Sequence, residues 1–303
     1  MCTFSKNNCN FAENLRVEYI PRSKMKKVLP IFAAFTAVVF SCTGNKTGSQ
    51  NDVPSDSDSI QDTAVVDTME MLISETPMPK AADELFDDFF FNYAANRKLQ
   101  LKRTTWPLPI MTGGKLADKV EKSAWKTEHF FMHQGYYTLL LDNERALNAI
   151  KDTTLATARV EKIQLSKNHV KQFVFNRHRG LWMLDSIVRH PIAGSTNASF
   201  LSFYQRFATD SAYQISHVSD VVQFTGPDPD DDFSTMEGVL TPETWPAFAP
   251  ELPTHTLYNV IYGTPRHGGN RKILLFRGIS NGLEMRLTFK REGGRWLLTS
   301  LSE

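Results

Sequence analysis

The chain has 303 residues and a formal net charge of +1, and 41% of its residues are hydrophobic. Residues 1 to 41 carry six Lys or Arg and two acids, so the remainder has a net charge of −3 and no basic tract. This distribution argues against nucleic acid or an anionic membrane surface as a partner. The three cysteines, at positions 2, 9 and 42, leave nothing after residue 42 for a disulfide, a cysteine nucleophile or a thiolate metal site.

The region from Met25 to Cys42, MKKVLPIFAAFTAVVFSC, is typical of a secretory signal. Two lysines precede an apolar run of 13 residues, 28–40, and the small residue Ser41 follows. A membrane-spanning helix needs about 20 apolar residues, so a transmembrane anchor is not expected. We interpret residues 1–24 as an upstream start, with the functional start at Met25.

The last four residues of this region, Val39-Phe40-Ser41-Cys42, resemble the lipobox of bacterial lipoproteins, although Phe40 replaces the small residue usual there. The resemblance implies that Cys42 is lipidated and becomes the first residue of the mature protein. It also implies a lipid anchor in the outer membrane, with the protein on the periplasmic face or the cell surface. The alternative is an ordinary signal peptidase cut that leaves Cys42 as a free thiol.

Residues 43–80 are rich in Ser, Thr, Asp and Pro and show no sustained apolar period, which predicts a disordered tether. Three triplets in this tether, at 58–60, 62–64 and 67–69, resemble the Asp-Ser/Thr-apolar acceptor of O-glycosylation in Bacteroidetes. Together with Cys42, the tether forms the predicted segment 42–80.

An internal repeat organises the folded part, which is predicted to begin near Ala81. Identical residues recur at an offset of 114: Phe86/Phe200, Phe89/Phe203, Ala94/Ala208, Gln100/Gln214, Ser166/Ser280, Phe175/Phe289, Arg177/Arg291, Gly180/Gly294, Trp182/Trp296, Leu184/Leu298 and Ser186/Ser300. Trp125 matches Trp245 at an offset of 120, so the middles of the two units differ in length. The repeat predicts a tandem duplication, with domains at 81–193 and 194–303.

Each unit is predicted to open with a helix and to close with three strands. Aromatic residues recur at helical spacing from Leu85 to Ala94, with Asp83 as cap, and from Phe200 to Ala208, after Asn197 or Ser199. The strands are predicted at 157–166, 169–177, 181–188, 272–279, 283–291 and 295–302. Lys167-Asn168 and Asn281-Gly282 connect the first two strands of each set.

A second helical segment in each variable middle completes the prediction, an α+β class with helices packed on a curved antiparallel sheet. The pattern FxxFxxxxAxxxxxQ with a final GxWxLxS strand resembles the nuclear transport factor two-like (NTF2-like, also cystatin-like or SnoaL-like) cone fold. More closely, it resembles a family of Bacteroidetes lipoproteins with that fold. The resemblance implies two tandem cone-shaped domains, each with an N-terminal helix pair, and it brings no catalytic motif.

The hairpin 175–187, FNRHRGLWMLDSI, concentrates polar groups but is interpreted as structural. Its copy, 289–301, retains the alternate positions of the last strand and the turn glycine, whereas His178 corresponds to Glu292. Arg177 and Arg291 are retained in both copies. They are interpreted as salt-bridge partners, with recognition of a ligand carboxylate as the alternative.

Two motifs have residues that could hold a metal. We interpret the first as two polar or half-buried histidines and the second as a solvated acidic loop. His129 and His133 stand four residues apart, as zinc ligands on a helix do, but no third ligand is evident. Asp228, Asp230 and Asp232 alternate like the start of a calcium loop but lack its glycine and its final glutamate. No metal and no cofactor is therefore expected.

A ligand pocket is the remaining candidate site, because cone folds of this class enclose a cavity between helices and sheet. Aromatic and retained basic residues are the candidates: Trp106, Trp125, Tyr136, Tyr137, Arg177, Trp245, Tyr258, Tyr262 and Arg291. We expect a non-enzymatic envelope lipoprotein, monomeric with an intrachain pseudo-dimer, that binds a small apolar or glycan-like ligand or a partner protein. The alternative is a hydrolase or isomerase with one working pocket, using groups such as His129, Asp142 or His255.

Overall fold

The structure is a computed structural model that describes residues 78–228, 231–264, 268–279 and 282–303, without the side chains of residues 232 and 233. These residues all belong to one compact unit of the chain. Cys42 and residues 43–77 of the predicted tether lie outside the described residues, whereas Met78 packs against a hydrophobic core and Lys80 already begins a 3₁₀ segment. Within the described residues, no helix combines the length and the apolar character needed to cross a bilayer.

Five α-helices and five short 3₁₀ segments are present in the described part of the chain. The α-helices are α1 Phe86–Ala95, α2 Arg97–Lys102, α3 Ala198–Phe207, α4 Ser211–Ile215 and α5 Trp245–Phe248. The 3₁₀ segments are Lys80–Asp83, Lys122–Ala124, Glu144–Lys151, Leu165–Lys167 and Ile192–Gly194. Each half of the chain, 78–193 and 194–303, therefore opens with a helix pair.

Twelve strands form one mixed sheet. They are β1 Leu108–Thr112, β2 Lys115–Val120, β3 Tyr136–Leu141, β4 Thr157–Gln164, β5 His169–His178, β6 Leu181–Pro191, β7 Val218–Asp228, β8 Asp231–Leu240, β9 Thr256–Tyr262, β10 Arg271–Gly278, β11 Glu284–Glu292 and β12 Arg295–Ser302. Their order across the sheet is β2-β1-β6-β5-β4-β9-β3-β10-β11-β12-β7-β8. The α+β class and the terminal meanders are therefore confirmed.

The two halves exchange their third strands. In the first half β3 does not pair with β4, because β9 of the second half occupies that place, and β3 pairs instead with β10. The pair β3–β9 at the centre is parallel, as are β1–β6 and β7–β12, so the expected purely antiparallel sheet is wrong. The parallel pairs arise because the β1–β2 and β7–β8 hairpins return beside the last strand of their own half.

The registers on the two sides of the exchange agree with the two offsets in the sequence. Arg159 of β4 pairs with Ile261 of β9, and Ile273 of β10 pairs with Leu141 of β3. Arg159 and Ile273 are 114 positions apart, and Leu141 and Ile261 are 120 positions apart. The strand pairing is therefore the same on both sides.

Two hydrophobic cores lie on opposite faces of this sheet. Side chains of β3 and β10 alternate between them, so that Leu139 and Leu275 enter the first core while Leu140 and Leu274 contact or enter the second. Helix α1 packs on the first core, where Phe86 meets Trp182 edge-on at 5.1 Å between ring centroids. Helix α3 packs on the second core through the equivalent contacts of Phe200.

Strands β3 and β9 pair at the centre of the sheet through one residue pair, Thr138 and Asn259. Hydrogen bonds from side chains add to this pairing. The Asn259 amide accepts a hydrogen bond from the Leu140 backbone N–H at 2.9 Å and donates one to the Glu161 carboxylate at 2.8 Å. The Thr138 hydroxyl donates to the Tyr258 carbonyl. Burial raises the pKa of Glu161, partly offset by its hydrogen bonds from Asn259 and Gln172.

Local details differ from the sequence predictions at the helix starts and in the middles. Asp83 does not cap α1, because its carboxylate forms a buried bidentate pair with Arg103 at 2.6 and 2.9 Å. Asn197 is the cap residue of α3, but its side chain makes no capping hydrogen bond and accepts instead from Lys272. The first middle, where a helical segment was expected, contains three strands and two 3₁₀ segments, of three residues at Lys122–Ala124 and of eight residues at Glu144–Lys151.

Candidate functional site

A row of three cationic side chains crosses the first-core face of the sheet. Lys162 of β4 pairs with Lys171 of β5, and Lys171 pairs with Arg189 of β6. On the other side of Lys162 the neighbour is Tyr258 of the exchanged strand β9. Cross-strand neighbours have Cβ atoms about 4.5–5.5 Å apart, and like charges directly opposite each other destabilise a sheet. This cationic row therefore costs stability unless anions compensate it.

An apolar row runs parallel to the cationic row, two residues further along each strand. It consists of Val160 paired with Phe173 and of Phe173 paired with Ile187, with Val260 and Ile110 at its two ends. All five side chains belong to the first core and are at most 4% exposed. The face thus changes from apolar to cationic over two residues, which is about 7 Å of strand.

The cationic row and the Ile110–Ile187 end of the apolar row border a cavity of about 500 Å³. Its second wall is the segment 124–130 together with His133, and this wall contributes Trp125 and Phe130 as aromatic surface. Four Lys or Arg side chains line the cavity (Lys126, Lys162, Lys171 and Arg189), against one carboxylate, Glu128. The cavity therefore has a cationic excess of three charges.

Glu128 neutralises part of the cationic row. Its carboxylate accepts from the Lys162 ammonium at 3.2 Å and from the Lys171 ammonium at 2.9 Å. Burial alone would raise the pKa of Glu128, but the two lysines outweigh burial and the net pKa is lowered. Burial likewise opposes the charged form of Lys162, yet Tyr258 and Glu128 hold its pKa above the ordinary value.

Arg189 has no such compensation. Within the described residues, no hydrogen bond or ion pair engages its exposed guanidinium, which carries five donor N–H groups. Arg189 lines the cavity from the strand next to Lys171. An anion in the cavity would find its strongest unused partner here.

Gln100 fixes the wall that carries Glu128. This fully buried side chain donates to the Glu128 carbonyl at 2.9 Å and accepts from the Glu128 N–H at 3.2 Å and from the Trp125 indole at 3.0 Å. In the second half Gln214 accepts from the Trp245 indole at 2.9 Å. Gln100 corresponds to Gln214 at an offset of 114, and Trp125 corresponds to Trp245 at an offset of 120. Each half therefore contains the same hydrogen bond between a retained Trp and a retained Gln.

The structure brings only two of the predicted pocket residues to this cavity, Trp125 and Tyr258. Trp106 lies behind the wall, with its ring edge-on to Trp125 at 5.6 Å. Tyr136 packs against the second core, and Trp245 is fully buried in that core.

Tyr137 and Tyr262 form a separate cluster around Asp87 of α1. The Tyr262 hydroxyl donates to the Asp87 carboxylate at 2.6 Å and the Tyr137 hydroxyl at 3.5 Å. Burial raises the pKa of Asp87, while Tyr262, Arg277 and Tyr137 oppose the rise. Burial and the nearby Asp87 raise the pKa of Tyr137 to about 12. Arg277 provides positive charge beside the carboxylate, so the cluster ties α1 to strands of the second half.

Arg177 does not form the expected salt bridge with a described residue. Its guanidinium donates to backbone carbonyls of Asp83, Glu84 and Thr153, and it lies over the Trp182 ring at 5.4 Å. Arg291 donates to the carbonyl of Gly294 at 3.3 Å. Backbone carbonyls therefore accept from both guanidinium groups, where a carboxylate partner was expected.

The metal motifs do not form ligand clusters in the described part of the chain. His129 and His133 lie in consecutive turns rather than on a helix, with ring centroids 4.7 Å apart. Asp228 accepts from the Ser234 hydroxyl at 3.2 Å. Asp230 and the side chain of Asp232 lie outside the described residues.

The residues named for a hydrolase or isomerase lie in three different environments. His129 lines the cavity, Asp142 accepts from the buried Lys272 ammonium at 2.5 Å, and His255 is exposed before β9. They do not form a common cluster.

The sequence prediction missed Lys162, Lys171, Arg189 and Glu128. A signal was present, because strand alternation places both lysines on the side of Val160 and Phe173, where polar residues are unexpected.

Comparisons with known proteins agree with the fold. The family described as "Domain of unknown function (DUF4348)" matches residues 65–303. A crystal structure of an NTF2-like protein from Bacteroides fragilis NCTC 9343 is 39% identical to this chain, with a TM-score of 0.67. The match covers 75% of this chain and 98% of that one. No curated protein matches the chain. The expected NTF2-like fold is confirmed.

Proposed function

From the premise that the chain belongs to the DUF4348 family and has an NTF2-like fold, we propose that its first half binds a small anionic ligand in the basic cavity. The cationic row of Lys162, Lys171 and Arg189 is the observation that carries this proposal. The ligand class differs from the apolar or glycan-like ligand expected from the aromatic residues alone.

The energetic argument is that a row of like charges needs a compensating anion. Glu128 supplies one negative charge for Lys162 and Lys171, and no described residue supplies one for Arg189. Charge-assisted hydrogen bonds between a guanidinium and a carboxylate are roughly twice as strong as neutral ones. A bound anion would therefore relieve repulsion and gain such bonds at the same time.

The shape of the cavity supports a small molecule rather than a macromolecule. Its volume of about 500 Å³ lies within the range of roughly 300–1,000 Å³ usual for ligand sites. Aromatic surface from Trp125, Phe130 and Tyr258 surrounds the charged groups. A few polar groups in an aromatic setting are typical of sites that orient a small ligand.

Calorimetric titration of the full-length protein with 2-naphthoate and with neutral 2-naphthamide tests the proposal. We expect the carboxylate to bind at least tenfold more tightly, since the two probes share shape but not charge. Arg189→Gln should weaken naphthoate binding about five- to tenfold, in line with about 1 kcal/mol for such a bond. The control Arg179→Gln removes an exposed arginine away from the cavity and should change nothing. Equal affinities for the two probes would contradict the proposal.

Two tandem cone-shaped domains, 81–193 and 194–303, form the proposed domain arrangement. The matching registers around the exchanged strands and the two Gln–Trp hydrogen bonds support it. The exchange fills the interface between the halves, which supports a monomer with an intrachain pseudo-dimer. Light scattering at micromolar concentration should give the monomer mass, and a stable homodimer would count against the arrangement.

Lipid on Cys42 and attachment to the outer membrane complete the proposed function. The lipobox-like sequence before Cys42 supports this location. Full-length protein should partition with membranes, and Cys42→Ala should be soluble or unprocessed. A mature protein that begins at another residue and carries no lipid would contradict the anchor.

A further inference from the structure

We propose that the ligand is an amphiphilic monoanion whose apolar body points into the cavity, and that Glu128 sets the preference for a single charge. This inference rests on the proposed function. It assigns Glu128 as a specificity-determining residue of the cavity.

The orientation of the ligand follows from the polarity of β6. Ile187 is 2% exposed and belongs to the apolar row, whereas Arg189, two residues further, is exposed. Ile110 of β1 pairs with Ile187 and extends the apolar surface. A ligand with its apolar part over Ile187 therefore has its charged group at Arg189, on the solvent side.

The preference for one charge follows from Glu128. Its side chain is 16% exposed and lies between two lysine side chains that are 29% and 25% exposed, so the three groups form the more enclosed part of the cationic row. Two like charges about 4 Å apart repel each other, and more strongly in an enclosed site than in bulk water. A second ligand anion near these lysines would meet this repulsion.

Glu128 cannot easily move away from an incoming anion. Gln100 holds both its backbone N–H and its carbonyl, and Gln100 is fully buried. Both ammonium groups hold its carboxylate. The protein thus occupies the inner anion position with its own side chain and leaves the outer position at Arg189 for the ligand.

The test compares 2-naphthoate with naphthalene-2,6-dicarboxylate, which has the same ring system and a second carboxylate at the far end. Full-length protein should bind the monoanion about tenfold more tightly. In Glu128→Gln the dicarboxylate should bind about tenfold more tightly than before, because the variant removes the Glu128 charge and releases Lys162 and Lys171, whose side chains line the same cavity. Binding of 2-naphthoate should change less than threefold, and the control Glu121→Gln should leave both affinities unchanged.

Several outcomes would overturn the inference. One is equal or tighter binding of the dicarboxylate by the unmodified protein, and this arm does not depend on the folding of any variant. Another is a folded Glu128→Gln protein that keeps the preference for the monoanion. Both differ from the failure of the proposed function, in which 2-naphthoate binds no better than 2-naphthamide.

Discussion

The sheet strands beside the cavity of the first half pair in the same register as their counterparts in the second half, but their side chains differ in chemistry. Lys162 and Lys171 correspond, at an offset of 114, to Phe276 and Met285, which are also cross-strand neighbours. Phe276 is 3% exposed and Met285 9%, and both belong to the second core. The position that is charged in one half is filled with apolar side chains in the other.

Lys162, Lys171 and Glu128 form one charged cluster, and Glu128 also has an apolar counterpart in the second half. Glu128 corresponds, at an offset of 120, to Phe248, whose ring packs edge-on against Phe224 at 5.5 Å. Such a joint change is physically reasonable, because removing one partner of an enclosed ion cluster leaves an uncompensated charge, whereas replacing all partners does not. The comparison agrees with packing of this region in the second half and with the proposed binding in the first half.

The largest expected effect tests what the two halves share. Trp182 and Trp296 are almost fully buried in equivalent positions. Replacement of either by alanine should cost about 3–5 kcal/mol, through lost transfer free energy and the cavity that remains. Urea melts of full-length protein measure the cost. Because β3 and β9 are exchanged, each variant should still unfold in one transition, and two separate transitions would show that the halves are independent.

A second, smaller effect tests the charged cluster. Glu128→Gln should cost about 2 kcal/mol at pH 7, since it weakens two hydrogen bonds to charged groups. The folded-state pKa of Glu128 is lowered below its ordinary value of 4.5, so its stabilisation is present above pH 4.5 and is lost as pH falls through the folded-state pKa. The difference between the two proteins should therefore shrink in acid.

Urea melts from pH 7 down to pH 3 measure this difference. Glu121→Gln serves as the control, because Glu121 is exposed just before the wall segment. It should stay within about 0.5 kcal/mol of the parent at every pH. A Glu128→Gln cost that does not depend on pH would show that the carboxylate charge is not the stabilising feature.

Sequence patterns predicted the elements that have one buried face. Helix α1 and strand β6 each show a clear apolar period, and the retained turn glycines at 180 and 294 both have a positive φ of 84°, which favours glycine. Strand β3, YYTLLL, was not predicted, because it is covered on both faces and shows no alternation. The exchange of β3 and β9 was not predicted either. The same apolar residues would suit pairing with the strand of either half.

The site was predicted only where its residues are aromatic. Trp125 and Tyr258 were among the candidates, but Lys162 and Lys171 were read as part of an ordinary strand. Their importance depends on register, which places them next to each other and next to Arg189. Register across different strands is a property of the fold, and no single strand reveals it.

Conversion of the first half to the chemistry of the second should have a modest effect on stability and a larger effect on binding. The triple change Lys162→Phe, Glu128→Phe and Lys171→Met replaces the cluster with the residues of the second half. Replacing an ion cluster by apolar residues is often neutral or stabilising. Because this cluster is partly solvated, we expect the triple variant to be more stable by about 1 kcal/mol. Melts should show no loss of stability, and 2-naphthoate binding should weaken about tenfold, because the two Phe side chains take up space in the cavity beside Arg189. Retained binding with full affinity would place the site elsewhere.

The smallest expected effect concerns a surface pair that exists in the first half alone. The imidazole of His178 contacts the Asp185 carboxylate at 2.6 Å, whereas the second half has Glu292 and Thr299 at these positions. The His178 side chain is 56% exposed, and Asp185 keeps hydrogen bonds from Thr105 and Asn176 without it. Exposed ion pairs contribute about 0–1 kcal/mol, so His178→Ala should cost no more than this in a urea melt. A loss as large as that of Trp182→Ala would contradict the interpretation of this hairpin as a structural element with a solvated edge. Its polar groups would then have to be considered as a second site.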